Sequence, residues 1–127
     1  MPDRSSYDYA IVRLVPHVER EEFLNVGVIF FCRTRRFLEA RLRLDAGRLA
    51  ALCPHLDAAV IRAQLELIPR ICAGGPQAGA IGQLTQSERF HWLVAPRSTV
   101  VQVSDVHCGL TDDPRATLEA LFSRMVG

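Results

Sequence analysis

The sequence predicts a single α+β domain over residues 1–127, and three observations support this fold class. Residues 23–32, FLNVGVIFFC, form an apolar run rich in β-branched and aromatic side chains, as expected for a strand buried in the middle of a sheet. Residues 7–14 and 37–44 alternate between apolar and polar side chains, as half-buried strands do. After Asp45 the apolar period lengthens to about 3.6 residues, which indicates helices.

These strands are close enough in sequence to form an antiparallel meander. Residues 98–104, STVVQVS, have high β propensity and predict a fourth strand. We therefore expect a three- to four-stranded antiparallel sheet with helices packed on one face.

Helix boundaries are marked by capping residues. Asp45 and Asp57 precede two apolar-periodic segments, and the segment from Thr85 to Glu88 has the form of a capping box. Near the end of the chain, Asp113 is followed by proline, which favours the first helical position. Pro69 is expected to kink or end the second helix, and the glycine-rich residues 74–82 are expected to form a loop.

The overall composition excludes several classes of function. The chain has 49% hydrophobic and 23% charged residues and a formal net charge of +1, so its charge favours neither nucleic acid nor an anionic surface as a partner. All fifteen basic residues are arginine, which excludes Schiff-base chemistry on a lysine. No apolar run approaches the roughly 18 residues of a spanning helix, and we expect a cytoplasmic protein without a membrane partner.

Cysteine and histidine spacing predicts no metal site and no cofactor. The four cysteines and four histidines lack the paired spacings of structural zinc sites. The cysteines lie in apolar surroundings and are expected to be reduced, buried thiols. Cys108, beside His107, is the best candidate for a nucleophile, although a packing role is favoured. No catalytic residue is assigned, and we expect a protein that is not an enzyme.

One face of the predicted meander mixes aromatic and guanidinium groups. Such a mixture is typical of the centre of a protein interface and also suits stacking on single-stranded bases, whereas a covering helix would make it part of the core. The residues predicted to form this interaction face are Tyr7, Tyr9, Phe31, Arg33, Arg41 and Arg43. The sequence leaves the oligomeric state open.

Three segments carry a resemblance to a known family. They are YDYAIV at residues 7–12, EREEFLNVGVIFFC at 19–32 and WLVAPRSTVVQVSDVHCGLTDDP at 92–114. Across nearly its whole length the chain resembles the bacterial family catalogued as domain of unknown function 3037. That family has no established activity, but its members are often encoded beside a kinase-like protein resembling the HipA toxins. The resemblance therefore implies a HipA-like kinase as a candidate partner.

The resemblance also points to a set of polar or glycine positions. Asn25 and Gly27 interrupt an apolar strand, where a bulge or a close backbone approach would explain them. Arg97 and Ser98 lie where a helix gives way to a strand, which suits the binding of a carboxylate or phosphate. The full set expected to gather as a binding site at one end of the sheet is Arg13, Glu22, Asn25, Gly27, Arg97, Ser98 and His107, together with Gly109. The alternative is a set of buried contacts that hold loops in place.

These observations predict a bacterial cytoplasmic accessory or interaction protein with a protein partner, the HipA-like kinase being one candidate. A first alternative is an enzyme that acts on an anionic substrate through Arg97, Ser98 and His107. A second alternative is nucleic-acid binding through the arginine and aromatic face, which the low net charge disfavours.

Overall fold

A computed structural model describes residues 3–16, 22–97 and 99–127. In this part of the chain, five strands and four α-helices follow one another with two 3-10 turns, at Arg33–Arg35 and Pro76–Gln83. The strands are β1 (Ser5–Leu14), β2 (Leu24–Cys32), β3 (Phe37–Leu42), β4 (Val101–Val103) and β5 (His107–Thr111). The α-helices are α1 (Ala46–Leu52), α2 (Ala58–Ala73), α3 (Gln86–Leu93) and α4 (Pro114–Met125).

The strands form one open antiparallel sheet, which confirms the predicted α+β fold. Its order is β3-β2-β1-β4, and β5 pairs with the first half of β1 beyond the end of β4. The apolar run that the sequence singled out is β2, which lies between β1 and β3. The predicted meander β1-β2-β3 is therefore present, and β5 is a fifth strand that the sequence analysis did not predict.

The sheet is buried on both faces. Face A carries Val12, Ile29 and Leu38 and packs against apolar side chains of α1, α2 and α3. Face B carries Ile11, Val28 and Phe30 and packs against Leu118, Leu121 and Phe122 of α4. The expectation of helices on one face holds for the first three helices, whereas α4 covers the opposite face. Because β2 is apolar on both sides, each face of the sheet needs a cover.

The direction of the side chains on β2 differs from the prediction. Phe31 was expected beside Tyr7 and Tyr9, but the register pairs Asp8 with Phe31 and Tyr9 with Phe30. Directly paired residues share a face, so Phe30 lies on face B and Phe31 on face A. A shift of one residue moves every side chain of a strand to the other face, and an apolar run without alternation does not reveal which register is adopted.

The capping residues named from the sequence all act as caps. The side chains of Asp45, Asp57 and Asp113 accept hydrogen bonds from the backbone N–H groups of Arg48, Ala59 and Ala116. Thr85 and Glu88 form the reciprocal bonds of a capping box.

The structure refines two predicted breaks. Pro69 was expected to kink or end α2. It does not end the helix, which continues to Ala73 and buries Ile71 and Cys72 in the face A core, and a kink at Pro69 stays a prediction. The glycine-rich segment, expected to be a loop, contains the 3-10 turn Pro76–Gln83.

Gly27 marks a close approach between β2 and β3. A Cβ atom at this position would clash with Leu42 Cδ2 and would lie 2.7 Å from the carbonyl oxygen of Arg41. We expect Gly27→Ala to lower the free energy of unfolding by about 2 kcal/mol, because a backbone carbonyl cannot move aside without shifting the strand. Urea denaturation of both proteins measures the difference.

A second glycine provides the control. At Gly109 the three atoms nearest to a Cβ atom would all belong to the side chain of Tyr7, the nearest being its hydroxyl oxygen at 2.5 Å. Since a side chain can rotate away, Gly109→Ala should cost less than Gly27→Ala. An equal or larger loss at Gly109 would contradict the explanation.

Candidate functional site

Arg13 and Asn25 are paired across β1 and β2, next to an irregularity in the register. The Arg13 guanidinium lies 4.3 Å from the ring centroid of Phe23, and Asn25 Nδ2 donates to the carbonyl oxygen of Met125 at 3.1 Å. Asn25 therefore joins β2 to the end of α4. Arg13 Nε and Asn25 Oδ1 are buried, and neither has a hydrogen-bond partner within residues 3–16, 22–97 and 99–127.

The remaining residues of the predicted binding site do not gather around this pair. Arg97 follows α3 and stacks on Trp92 in the helical layer over face A. His107 pairs with Tyr9, four residues along β1 from Arg13 or about 13 Å in an extended strand, and its ring lies 5.3 Å from the Tyr9 ring over face B. Arg97 and His107 thus lie on opposite sides of the sheet.

Three further members of the predicted binding site are Gly27, Glu22 and Ser98. Gly27 allows the close approach of β2 and β3, and Glu22 is exposed just before β2. Ser98 lies outside the residues that the structure describes. Of the predicted set, the structure brings together Arg13 and Asn25, with Gly27 two residues further along β2.

The predicted interaction face is divided by the fold. Phe31 packs into the face A core and is 4% exposed, and Arg33 lies in the exposed turn after β2. Tyr7 and Tyr9 lie on face B beside its apolar core.

Arg41 of β3 contacts α4, and Arg43, which follows β3, contacts the residue after the cap of α4. Arg41 forms an ion pair with Glu119 and lies 4.9 Å from the ring centroid of Phe122, while Arg43 donates to the carbonyl oxygen of Gly127. Much of the predicted interaction face is therefore the surface on which α4 packs.

A concave surface that the sequence analysis did not predict lies along α2, in the helical layer over face A. Two adjoining depressions of about 480 Å³ and 260 Å³ run along α2 and share Gln64 and Thr99 in their walls. We call this surface the α2 groove. Its walls are formed by Val15, Pro16, Leu56, Asp57, Val60, Ile61, Gln64, Leu67, Ile68, Ile71, Trp92, Leu93, Arg97, Thr99, Val100 and Val101.

Apolar side chains in this groove remain exposed to water. Val60 is 52% exposed, Leu67 is 49% exposed and Trp92 is 40% exposed. The helical period of the sequence places Val60 and Leu67 in the predicted apolar stripe of α2, and the sequence analysis assigned no role to Trp92. The sequence signal for this exposure was the width of the apolar stripe. One packing layer buries an arc of a helix that is narrower than this stripe, and in α2 the buried arc contains Ile61, Leu65, Ile68, Ile71 and Cys72.

Arg97 and Trp92 form the end wall of the groove. The guanidinium carbon of Arg97 lies 4.3 Å from the Trp92 ring centroid, and Arg97 Nη2 donates to the carbonyl oxygen of Trp92 at 2.8 Å. These two contacts fix a cation over an exposed aromatic face. Among residues 3–16, 22–97 and 99–127, Arg97 is the only charged residue lining the smaller depression, and Asp57 is the only charged residue lining the larger one.

Arg89 holds α3 against the end of α2 and so fixes one side of the groove. The residue is buried, and its Nη1 donates to the carbonyl oxygens of Ile71 at 2.8 Å and Cys72 at 2.7 Å. Its Nε donates to the carbonyl oxygen of Leu84. A cation near the carbonyl end of a helix is also favoured by the helix dipole.

The cysteines differ in exposure, and the prediction of buried thiols is correct for three of the four. Cys32, Cys53 and Cys72 are buried, whereas Cys108 is exposed on β5. Burial raises the pKa of the Cys72 thiol to about 12, and burial together with nearby Glu22 raises the pKa of Cys53.

Two kinds of site are not found in the described part of the chain. Residues 3–16, 22–97 and 99–127 contain no group of three or more histidine, cysteine, aspartate or glutamate side chains that could hold a metal ion. None of the helices in these ranges has the length and apolar character needed to cross a membrane.

Arg89 is expected to be the most important charged residue for stability. Arg89→Ala should lower the free energy of unfolding by about 3 kcal/mol, because it leaves buried carbonyl groups without a donor. Arg62→Ala, at an exposed position of α2, should change it by less than about 0.5 kcal/mol. Chemical denaturation compares the two variants, and similar losses in both would contradict this role.

Cysteine labelling tests the exposure and protonation of the thiols. In the native protein at pH 8, Cys108 should react with iodoacetamide first. Cys53 and Cys72 should stay unmodified because their raised pKa values leave them protonated and burial blocks access. Peptide mass spectrometry identifies the labelled site, and unfolded protein is the control in which all four react. Early labelling of Cys72 would contradict the structure.

Comparison with known proteins identifies a family without an assigned activity. No curated protein matches the chain, and no solved structure matches it. The family described as Protein of unknown function (DUF3037) matches residues 9–126, nearly the whole chain, which agrees with the resemblance seen in the sequence. The chain therefore belongs to the DUF3037 family.

Proposed function

We propose that this protein is a non-catalytic interaction module of the bacterial cytoplasm that binds a partner protein in the α2 groove. The observation that carries the proposal is the exposure of Val60, Leu67 and Trp92 along one concave surface. Exposed apolar side chains that line a groove are typical of protein-binding sites, whereas scattered ones are ordinary.

The chemistry of the groove also supports this proposal. Tryptophan and arginine are the residues most often found at energetic centres of protein interfaces, and here Arg97 is stacked on Trp92. The groove is built on α2 and α3, and Arg89 of α3 ties the two helices together through the carbonyl groups of Ile71 and Cys72. Side chains held in place before binding lose little entropy when a partner docks.

The candidate partner is a HipA-like kinase. This candidate is taken from the family resemblance, since family members are often encoded beside such a protein. A groove lined by apolar side chains and one cation is compatible with a protein surface of this kind.

The two alternative functions receive less support. An enzyme that uses Arg97 and His107 together would need them in one site, but they lie over opposite faces of the sheet. Nucleic-acid binding through face B would need its arginines free, but Arg41 is paired with Glu119, and Arg115 of α4 is paired with Glu39.

The test is a calorimetric titration of the purified protein with a HipA-like kinase of the kind encoded beside members of the family. We expect Leu67→Glu to weaken binding at least about tenfold, because a carboxylate would have to be desolvated against the partner. The matched control is Leu110→Glu, which alters an exposed leucine on β5 outside the groove and should leave binding unchanged.

Two results would contradict the proposal. Failure of the two purified proteins to associate would exclude this partner. Equal affinity for the wild-type protein and Leu67→Glu would exclude the groove as the docking surface. Circular dichroism of both variants verifies that they are folded.

A further inference from the structure

We infer that the occupant of the α2 groove is an amphipathic helix of the partner, antiparallel to α2, with carboxylates in its first turn beside Arg97. This inference rests on the proposed docking function and adds the chemical class of the docked segment. It follows from the hydrogen bonding of β4, the spacing of the exposed apolar side chains and the distribution of charge.

The edge strand beside the groove is poorly suited to receive another strand. β4 has three residues, and its pairing with β1 directs the Val101 carbonyl toward the outer edge. That carbonyl accepts a hydrogen bond from Thr99 Oγ1 at 2.7 Å, and the Thr99 carbonyl accepts one from Gln102 Nε2 at 2.8 Å. Because β4 has three residues and its Val101 carbonyl already accepts a hydrogen bond, an extended peptide would gain little main-chain bonding here.

The spacing of the exposed apolar residues matches a helix. Val60 and Leu67 are seven residues apart on α2, which is two turns or about 10.5 Å. A helix that lies along α2 presents apolar anchors with the same seven-residue repeat. The lining residues of α2 extend from Asp57 to Ile71, about 21 Å, which accommodates a partner helix of about 14 residues.

The charge of the groove calls for an acidic group at one end. Neither Arg97 nor exposed Arg70, one turn beyond Leu67, has a carboxylate partner within residues 3–16, 22–97 and 99–127. Arg97 uses Nη2 on the Trp92 carbonyl, so its remaining N–H groups are available to a carboxylate.

The same charges give the docked helix a direction. Arg97 lies at the end where α2 finishes, and Asp57 lies at the end where α2 begins. Acidic residues stabilise the first turn of a helix and basic residues stabilise its last turn. An antiparallel helix therefore places its acidic first turn at Arg97 and its last turn near Asp57. The charges that stabilise the ends of this helix then also complement the charges of the groove.

The experiment uses two synthetic helical peptides of 14 residues as probes. Both have leucines at positions that repeat every three, four and seven residues, and both lack tryptophan. One has two glutamates in its first turn, and the other has two glutamines there. Trp92 is the only tryptophan of the chain, so its fluorescence reports binding in the groove, and calorimetry gives the dissociation constants.

A double-mutant cycle isolates the contact with Arg97. The glutamate peptide should bind the wild-type protein about tenfold more tightly than the glutamine peptide, and this ratio should fall to near one in Arg97→Gln. Arg62→Gln, on the opposite side of α2, should keep the wild-type ratio and controls for the loss of one charge. Added salt should reduce the ratio in the wild-type protein.

The outcomes separate this inference from the proposed function. If both peptides bind equally well and Leu67→Glu abolishes binding, the groove binds helices, but the inferred preference for carboxylates in their first turn is wrong. If neither peptide binds, or if the ratio survives in Arg97→Gln, the inferred occupant is wrong. The titration with the kinase decides the proposed function independently, because it does not depend on either peptide.

Discussion

The burial of β2 on both faces is the constraint on which the rest of this structure depends. Ile29 and Phe30 are neighbours in sequence, point to opposite sides of the sheet and are both completely buried. A strand of this kind requires a covering layer on each side, since exposing either face would cost roughly 25 cal/mol per Å² of apolar surface. The first three helices cover one side and α4 covers the other, and the surfaces left for binding are at the margins of these layers.

The α2 groove is such a margin. The arc of α2 that contains Ile61, Leu65 and Ile68 packs into the face A core, and the neighbouring arc with Val60 and Leu67 lines the groove beside Thr99, Val100 and Val101. The edge strand β4 has three residues and covers little of that second arc. Arg89 holds α3 against the end of α2, and the groove lies between α2, Trp92 of α3 and Thr99.

Local features of the fold could be predicted from sequence, whereas features that depend on distant contacts could not. Asp57 and Thr85 act as caps because a cap needs only its own first turn. Leu38, Ala40 and Leu42 share a face as expected because β3 alternates. The direction of Phe31 depends on pairing with β1, and no pattern within β2 reveals it. Likewise, the apolar stripe of α4 shows that the helix packs but not on which face, and the exposure of Leu67 depends on where the sheet ends.

Several arginines in the described part of the chain place their planar guanidinium groups over aromatic rings. The pairs are Arg13 with Phe23, Arg41 with Phe122, Arg97 with Trp92 and Arg115 with Phe37. A planar guanidinium stacks on a ring and still donates hydrogen bonds at its edge, which an ammonium group does less well. Arg41 and Arg115 use that edge on carboxylates of this chain. Arg97 has no such carboxylate partner in residues 3–16, 22–97 and 99–127 and lines a groove with exposed apolar walls, so an acidic partner would complete for Arg97 the arrangement that these two arginines already have.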